Sequence, residues 1–199
     1  MKKILLLLTV AFASATSLFS APEIGEAAPA FTLTDSTGTE HSLSDFEGKT
    51  VVLEWFNYGC PFVKKHYSSE NMQGLQEAAV EDDVVWLTIV SSAPGKQGHL
   101  TPEEAEAKRE ELGSNATALL IDEDGEVGKL YNAKTTPEMF VINGEGNVVY
   151  MGAIDSKSDA KEDSIDGAVN YVTAALDAIE ADEEIENPKT KPYGCSIKY

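Results

Sequence analysis

The sequence predicts an α/β domain: a central β-sheet flanked by helices, with an inserted helix and strand and a C-terminal tail. Three observations predict it. Two apolar, β-rich runs, 50–56 (TVVLEWF) and 84–90 (VVWLTIV), bracket a segment in which Val63, Tyr67, Leu75 and Ala79 recur at multiples of four. A helix with signals at both ends follows at 102–112. Two later apolar runs are separated by Asn143-Gly144-Glu145-Gly146, turn chemistry suited to an antiparallel hairpin. Strands alternating with helices give a mainly parallel sheet covered on both faces, and the hairpin adds an antiparallel edge.

Each element has its local reason. The run 50–56 reads as a strand, and after a short turn Pro61 opens a helix whose four-residue recurrence continues to Ala79. The run 84–90 is nearly continuous in apolar residues, as a strand covered on both faces is. Thr101-Pro102-Glu103-Glu104 supplies an N-cap, a proline at the first helical position and a glutamate at the third, and Gly113 stands where that helix stops. A short strand at 118–121, a turn at 122–125, a brief helix at 127–132, the hairpin strands 139–142 and 147–152, and an amphipathic helix marked by Val169, Val172, Leu176 and Ile179 complete the order.

The chain has 199 residues, 42% hydrophobic and 25% charged, which suits one globular domain. Its 34 Asp and Glu against 15 Lys and Arg give a net charge of -19, so nucleic acid is a poor partner. Lys2 and Lys3, the apolar run 4–13 and the small residues after it have the layout of a secretory signal peptide, and ten apolar residues are too few for a stable membrane span. An uncleaved anchor is the alternative. The expected division is a signal peptide at 1–21, one domain at 22–180 and a tail at 181–199, with a periplasmic or secreted protein as the result. The tail starts acidic and ends with Lys189, Lys191 and Lys198 and no acid, so electrostatic docking onto the acidic body is expected.

Two cysteines cannot make a disulfide-dense scaffold, and in an oxidising compartment each needs its own account. Cys60 lies between a strand and Pro61, at or beside the N-cap of a helix. Free N–H groups and the partial positive charge there favour thiolate over thiol and lower the pKa from about 8.5. Lys64 and Lys65 add to this if they face the sulfur. The alternative is a small buried hydrophobe.

The stretch 54–66 (EWFNYGCPFVKKH), the opening Ala28-Pro29-Ala30-Phe31-Thr32-Leu33, and Thr135-Thr136-Pro137 before a strand resemble the redoxin branch of the thioredoxin-like superfamily. That branch includes the alkyl hydroperoxide reductase and thiol-specific antioxidant proteins, and the resemblance runs from about Glu23 to Ile179. It implies a thioredoxin-like fold, Cys60 as nucleophile, and Pro137 as the cis-proline that faces the nucleophile and helps bind thiol substrates. Thr136, Tyr58 and Pro61 join Pro137 as candidate substrate-binding residues. Two departures stand out. A Cys-x-x-Cys pair would need a second cysteine where Val63 stands. The threonine and proline of a peroxiredoxin are replaced by Asn57 and Leu53, and the only arginine, Arg109, lies in the inserted helix among acids.

Cys195, about fifteen residues past the last helix, is the candidate resolving cysteine, with Gly194 permitting a close turn beside it. The expected chemistry is attack by Cys60 on a disulfide or a peroxide, followed by closure of a Cys60–Cys195 bridge that an external thiol reductant, such as a thioredoxin-like donor, reopens. Thiol-disulfide exchange and peroxiredoxin-like hydroperoxide reduction are the two enzyme readings. A binding module pinned by a structural disulfide is the third. No cofactor or metal is expected, because His41, His66 and His99 lack ligand spacing and His66 reads as a solvated helix residue. Asp122-Glu123-Asp124-Gly125 reads as a turn rather than a calcium loop, Asn115-Ala116-Thr117 as a sequon by pattern only, and Trp55 as core.

Overall fold

The computed structural model describes residues 21–199; the expected signal peptide lies almost wholly outside them. A seven-stranded mixed sheet runs in the order β2-β1-β5-β4-β3-β7-β8. Its members are β1 (Thr32–Asp35), β2 (Glu40–Ser42), β3 (Val51–Trp55), β4 (Val85–Val90), β5 (Ala118–Ile121), β7 (Glu138–Ile142) and β8 (Val148–Gly152). Only the three central strands, β3, β4 and β5, are mutually parallel. The expectation of a mainly parallel sheet is corrected at one edge by a β1–β2 hairpin that the sequence reading did not contain. Its strands are three and four residues long and mostly polar, too short to show a period. The late hairpin β7–β8 forms as expected, and the Asn143 carboxamide oxygen accepts the N–H groups of Glu145 and Asn147 to close its turn.

Alternation on β3 and β4 builds two cores. Val51, Leu53, Trp55, Val85, Leu87 and Ile89 face one side with Phe31, Tyr131 and Phe140. Trp55, Tyr131 and Phe140 meet there at ring-centroid distances of 5.2–5.4 Å, contacts worth about 1 kcal/mol each beyond their buried area. Val52, Phe56, Trp86 and Val90 face the other side, covered by α1 (Pro61–Ser68), α2 (Asn71–Glu81), α3 (Pro102–Glu111) and α5 (Tyr171–Glu180). The short α4 (Glu126–Leu130) covers the first side through Val127.

The single helix expected from Pro61 to Ala79 is two. Glu70 takes a left-handed conformation (φ 59°) between α1 and α2, and the Ser69 hydroxyl donates to the carbonyls of Lys65 and His66 at the end of α1. A serine hydroxyl that satisfies the backbone in this way competes with helix continuation. The capping signals of α3 are present as read, with Glu104 N–H donating to Thr101 Oγ1 and Thr101 N–H to the Glu104 carboxylate.

The tail returns to the body as β9 (Cys195–Ser196), antiparallel to β6 (Thr135–Thr136). Its attachment is not the electrostatic one expected from its lysines. Met151 N–H donates to Pro188 O, Thr190 N–H to Met151 O, Ile197 N–H to Lys134 O and Ala93 N–H to Lys198 O. Among the described residues no salt bridge involves Lys189, Lys191 or Lys198. Exposed ion pairs are worth little, whereas sheet hydrogen bonds fix a register.

Candidate active site around Cys60 and Cys195

Strand β3 ends at Trp55, and the next four residues turn tightly into α1. Asn57 shapes that turn: its side-chain oxygen accepts Gly59 N–H at 2.9 Å and its amide donates to Gln97 O at 3.1 Å. Cys60 is the N-cap of α1, with Pro61 at the first helical position, and it is fully buried. The exposed Pro61 fixes the helix start, and the half-buried Tyr58 lies under the Lys108 ammonium, 5.2 Å from the ring centroid.

The Thr136–Pro137 bond is cis, and both residues are buried beside the Cys60 loop. As a thiol Cys60 donates to Thr136 O at 3.0 Å. Across the β6–β9 pairing from Thr136 stands Cys195. Gly194 has φ +137°, and a Cβ there would run into the Thr136 carbonyl oxygen, so the chain passes this point only as glycine. The structure thus brings Cys60, Thr136, Pro137 and Cys195 into one site, with Tyr58 and Pro61 at its rim.

The two sulfurs are electrostatically unequal. Burial pushes the Cys60 thiol up, but the Cys195 thiol and the N–H groups of Val63 and Cys195 outweigh it and hold Cys60 below the ordinary thiol value. Cys195 is pushed up to about 11 by burial, by its hydrogen bond to Cys60 and by the negative charge on Cys60. Both are free thiols, brought together by Thr136, which accepts from one and pairs in strand register with the other. Ionised, Cys60 carries the charge and Cys195 the proton. The Thr136 hydroxyl is buried and makes no hydrogen bond of good geometry.

Lys65 does not serve the sulfur. Its ammonium is fully buried, 2.9 Å from Lys157 O and 3.5 Å from Asp155, and Lys64 is exposed. His66, read from the sequence as solvated, is fully buried as well. Asn71 donates to His66 Nδ1 at 2.9 Å, leaving Nε2 to donate to the Tyr193 hydroxyl at 3.3 Å, and that hydroxyl donates to Asp155 at 2.5 Å. Burial is the main reason that His66 is pushed down to about 4; Asp155 opposes it and Lys65 adds to it. The cluster ties α1 to the tail two residues before Cys195.

Glu54, inside the apolar strand β3, is a buried carboxyl that the sequence reading passed over. It accepts from Tyr67, Gln76, Trp86 and Thr88, yet burial raises its pKa above the ordinary value. The signal was there: one acid in a seven-residue apolar run needs partners. Trp55 is core, as expected, and its indole N–H donates to Ser91. Arg109 pairs with Glu106 and reaches Ala116 O, contacts confined to the region of α3. Among the described residues no three His, Cys, Asp or Glu side chains come together as a metal site, and no helix is long and apolar enough to cross a membrane.

Comparison with known proteins agrees with this geometry. The model of the redoxin family matches residues 23–169. The thiol-disulfide oxidoreductase ResA of Geobacillus kaustophilus is 29% identical over 150 residues, covering 68% of this chain and 86% of that protein. The crystal structure of an uncharacterized conserved protein from Geobacillus kaustophilus superposes with a TM-score of 0.75 at 29% identity, covering 92% of this chain and 94% of the other. The thioredoxin domain of a thiol-disulfide oxidoreductase from Bacteroides vulgatus shares the fold at 19% identity, with a TM-score of 0.54 over 74% of this chain and 98% of that domain.

Proposed function

Because the chain belongs to the redoxin family and has a thioredoxin-like fold, we propose that it is an exported thiol-disulfide oxidoreductase, with Cys60 as nucleophile and Cys195 as resolving cysteine. The observation that carries this reading is the pair itself: a cysteine at a helix N-cap whose thiol donates to the carbonyl of Thr136, the residue that stands opposite the second cysteine in strand register. Export rests on the signal-type layout at 1–21, and the body and tail divide at about residue 180.

The Cys60 thiolate attacks one sulfur of a substrate disulfide, forming a mixed disulfide and releasing the other sulfur as a thiolate. Cys195 then attacks the Cys60 sulfur. Its proton passes to the departing thiolate, a Cys60–Cys195 bond closes, and the substrate leaves as two thiols. The protein has lost two electrons, and an external dithiol donor restores both cysteines. Pro137 and Thr136 form the wall against which the substrate sulfur lies, with Tyr58 and Pro61 at the mouth.

The test is turnover of a small disulfide such as cystine by catalytic protein with excess reductant, against Cys60→Ser. Turnover lost in the variant supports the reading; equal rates with both overturn it. A parallel assay with hydrogen peroxide examines the peroxidase reading, for which Asn57 and Leu53 replace the expected threonine and proline.

A further inference from the structure

We propose that β9 and its terminal anchor Tyr199 act as a specificity strap, admitting small disulfides to Cys60 and excluding disulfides of folded proteins until the strap lifts. The substrate class deepens the function proposed above and rests on it; the strap itself is testable without turnover.

Strand β6 has two residues, and among the described residues β9 is its only partner, in a separate two-stranded sheet. Such an edge beside a reactive cysteine is where an extended segment of a protein substrate adds by main-chain pairing. Here the edge is taken: Cys195–Ser196 pair with Thr135–Thr136, and Ile197 N–H donates to Lys134 O. Cys60 has 0% exposure, with Cys195 and Tyr193 of the tail packed against its cluster. At rest a small reagent enters by local breathing, and a large one needs the strap removed.

The body is shaped to receive this segment. Gly128 lies within α4, where glycine is a poor helix residue. A Cβ there would stand 2.5 Å from the Tyr199 hydroxyl, 2.6 Å from its ring and 2.9 Å from Ser91 Oγ. The glycine therefore makes room for the Tyr199 side chain. Tyr199 donates to Ala133 O at 2.8 Å, and Lys129 lies 5.5 Å from its ring centroid. The hold is local, because Tyr199 remains 37% exposed.

The experiment measures the alkylation rate of Cys60 in reduced protein carrying Cys195→Ser, using N-ethylmaleimide and the same maleimide on a large polymer. The intact strap gives a large excess of the small-reagent rate over the polymer rate. Gly128→Ala, which leaves both sheet strands and the nucleophile loop untouched, is expected to raise the polymer rate about tenfold with a much smaller change for N-ethylmaleimide. Tyr199→Ala is a second, independent release and should behave alike. With both cysteines present, Gly128→Ala should speed reduction of insulin relative to cystine. Equal polymer and small-reagent rates in the unmodified strap, or no response to either release, overturn the strap. Loss of all disulfide turnover with size-dependent alkylation intact overturns the proposed redox function instead and supports the strap.

Discussion

Cys195 stands directly opposite Thr136 in the β6–β9 pairing, and the carbonyl of that same Thr136 accepts the Cys60 thiol at 3.0 Å. A single residue therefore sets the position of both sulfurs, one through its backbone oxygen and the other through strand register. The second sulfur comes from the segment after α5 and is aligned by strand register. This arrangement supplies what Val63, standing where a local second cysteine would be, cannot.

The order of attack predicts a trapped intermediate. Cys195→Ala should accumulate a mixed disulfide between Cys60 and a small substrate thiol, visible by mass spectrometry, whereas Cys60→Ala should accumulate none on Cys195. Trapping on Cys195 alone would reverse the assigned roles.

The sulfur asymmetry predicts a pH profile. Cys60 should alkylate with a midpoint below the ordinary thiol value and Cys195 only near pH 11. Cys195→Ala removes a hydrogen-bond donor to the Cys60 thiolate and should shift the Cys60 midpoint upward. An unchanged or lower midpoint would show that the pair is not coupled.

His66 predicts a sensitivity to acid. Its folded value, about 4, lies below the ordinary 6.5, so the folded state favours the neutral ring. Stability from this group is fully present above pH 6.5 and is lost as pH falls toward 4, amounting to roughly 3 kcal/mol at the lower end. Urea unfolding across that range should show the loss, and His66→Gln should flatten it. An equally steep decline in the variant would place the effect elsewhere.

Tyr193 predicts a link between stability and resolution. Tyr193→Phe leaves the buried Asp155 carboxylate short of a donor, costing about 1–3 kcal/mol. It also loosens the chain two residues before Cys195. The midpoint of unfolding should fall and closure of the bridge should slow, while first attack by Cys60 keeps its rate. Slowing of the first step alone would contradict this division.

Much of the site was legible because its signals are local. Gly59-Cys60-Pro61 after an apolar run marks a helix start, and Thr135-Thr136-Pro137 before a strand carries the resemblance that implied the cis-proline, which the structure contains. The α3 capping box and the hairpin turn at Asn143 are likewise written within four residues. What escaped is non-local. β6 and β9 are two-residue strands that exist only because segments some sixty residues apart in sequence pair, a relation no periodicity carries. His66 looks like a solvated helix residue and Lys65 like a neighbour of the sulfur until Asp155, ninety residues away from Lys65, supplies a buried partner. The β1–β2 hairpin was missed for its short polar strands. The tail was expected to dock through its lysines, and it docks through its backbone and tyrosines, since matching hydrogen bonds leaves no sign in a charge count.

The most direct test is peptide mapping of fully reduced protein after one equivalent of a small disulfide, quenched with acid and repeated across buffered redox potentials. The account predicts a Cys60–Cys195 linked peptide that forms and disappears reversibly at a potential above about -300 mV, the range in which structural bridges resist reduction lying below it. Oxidised Cys60 with Cys195 still alkylatable, or a bridge that no thiol buffer opens, would contradict it.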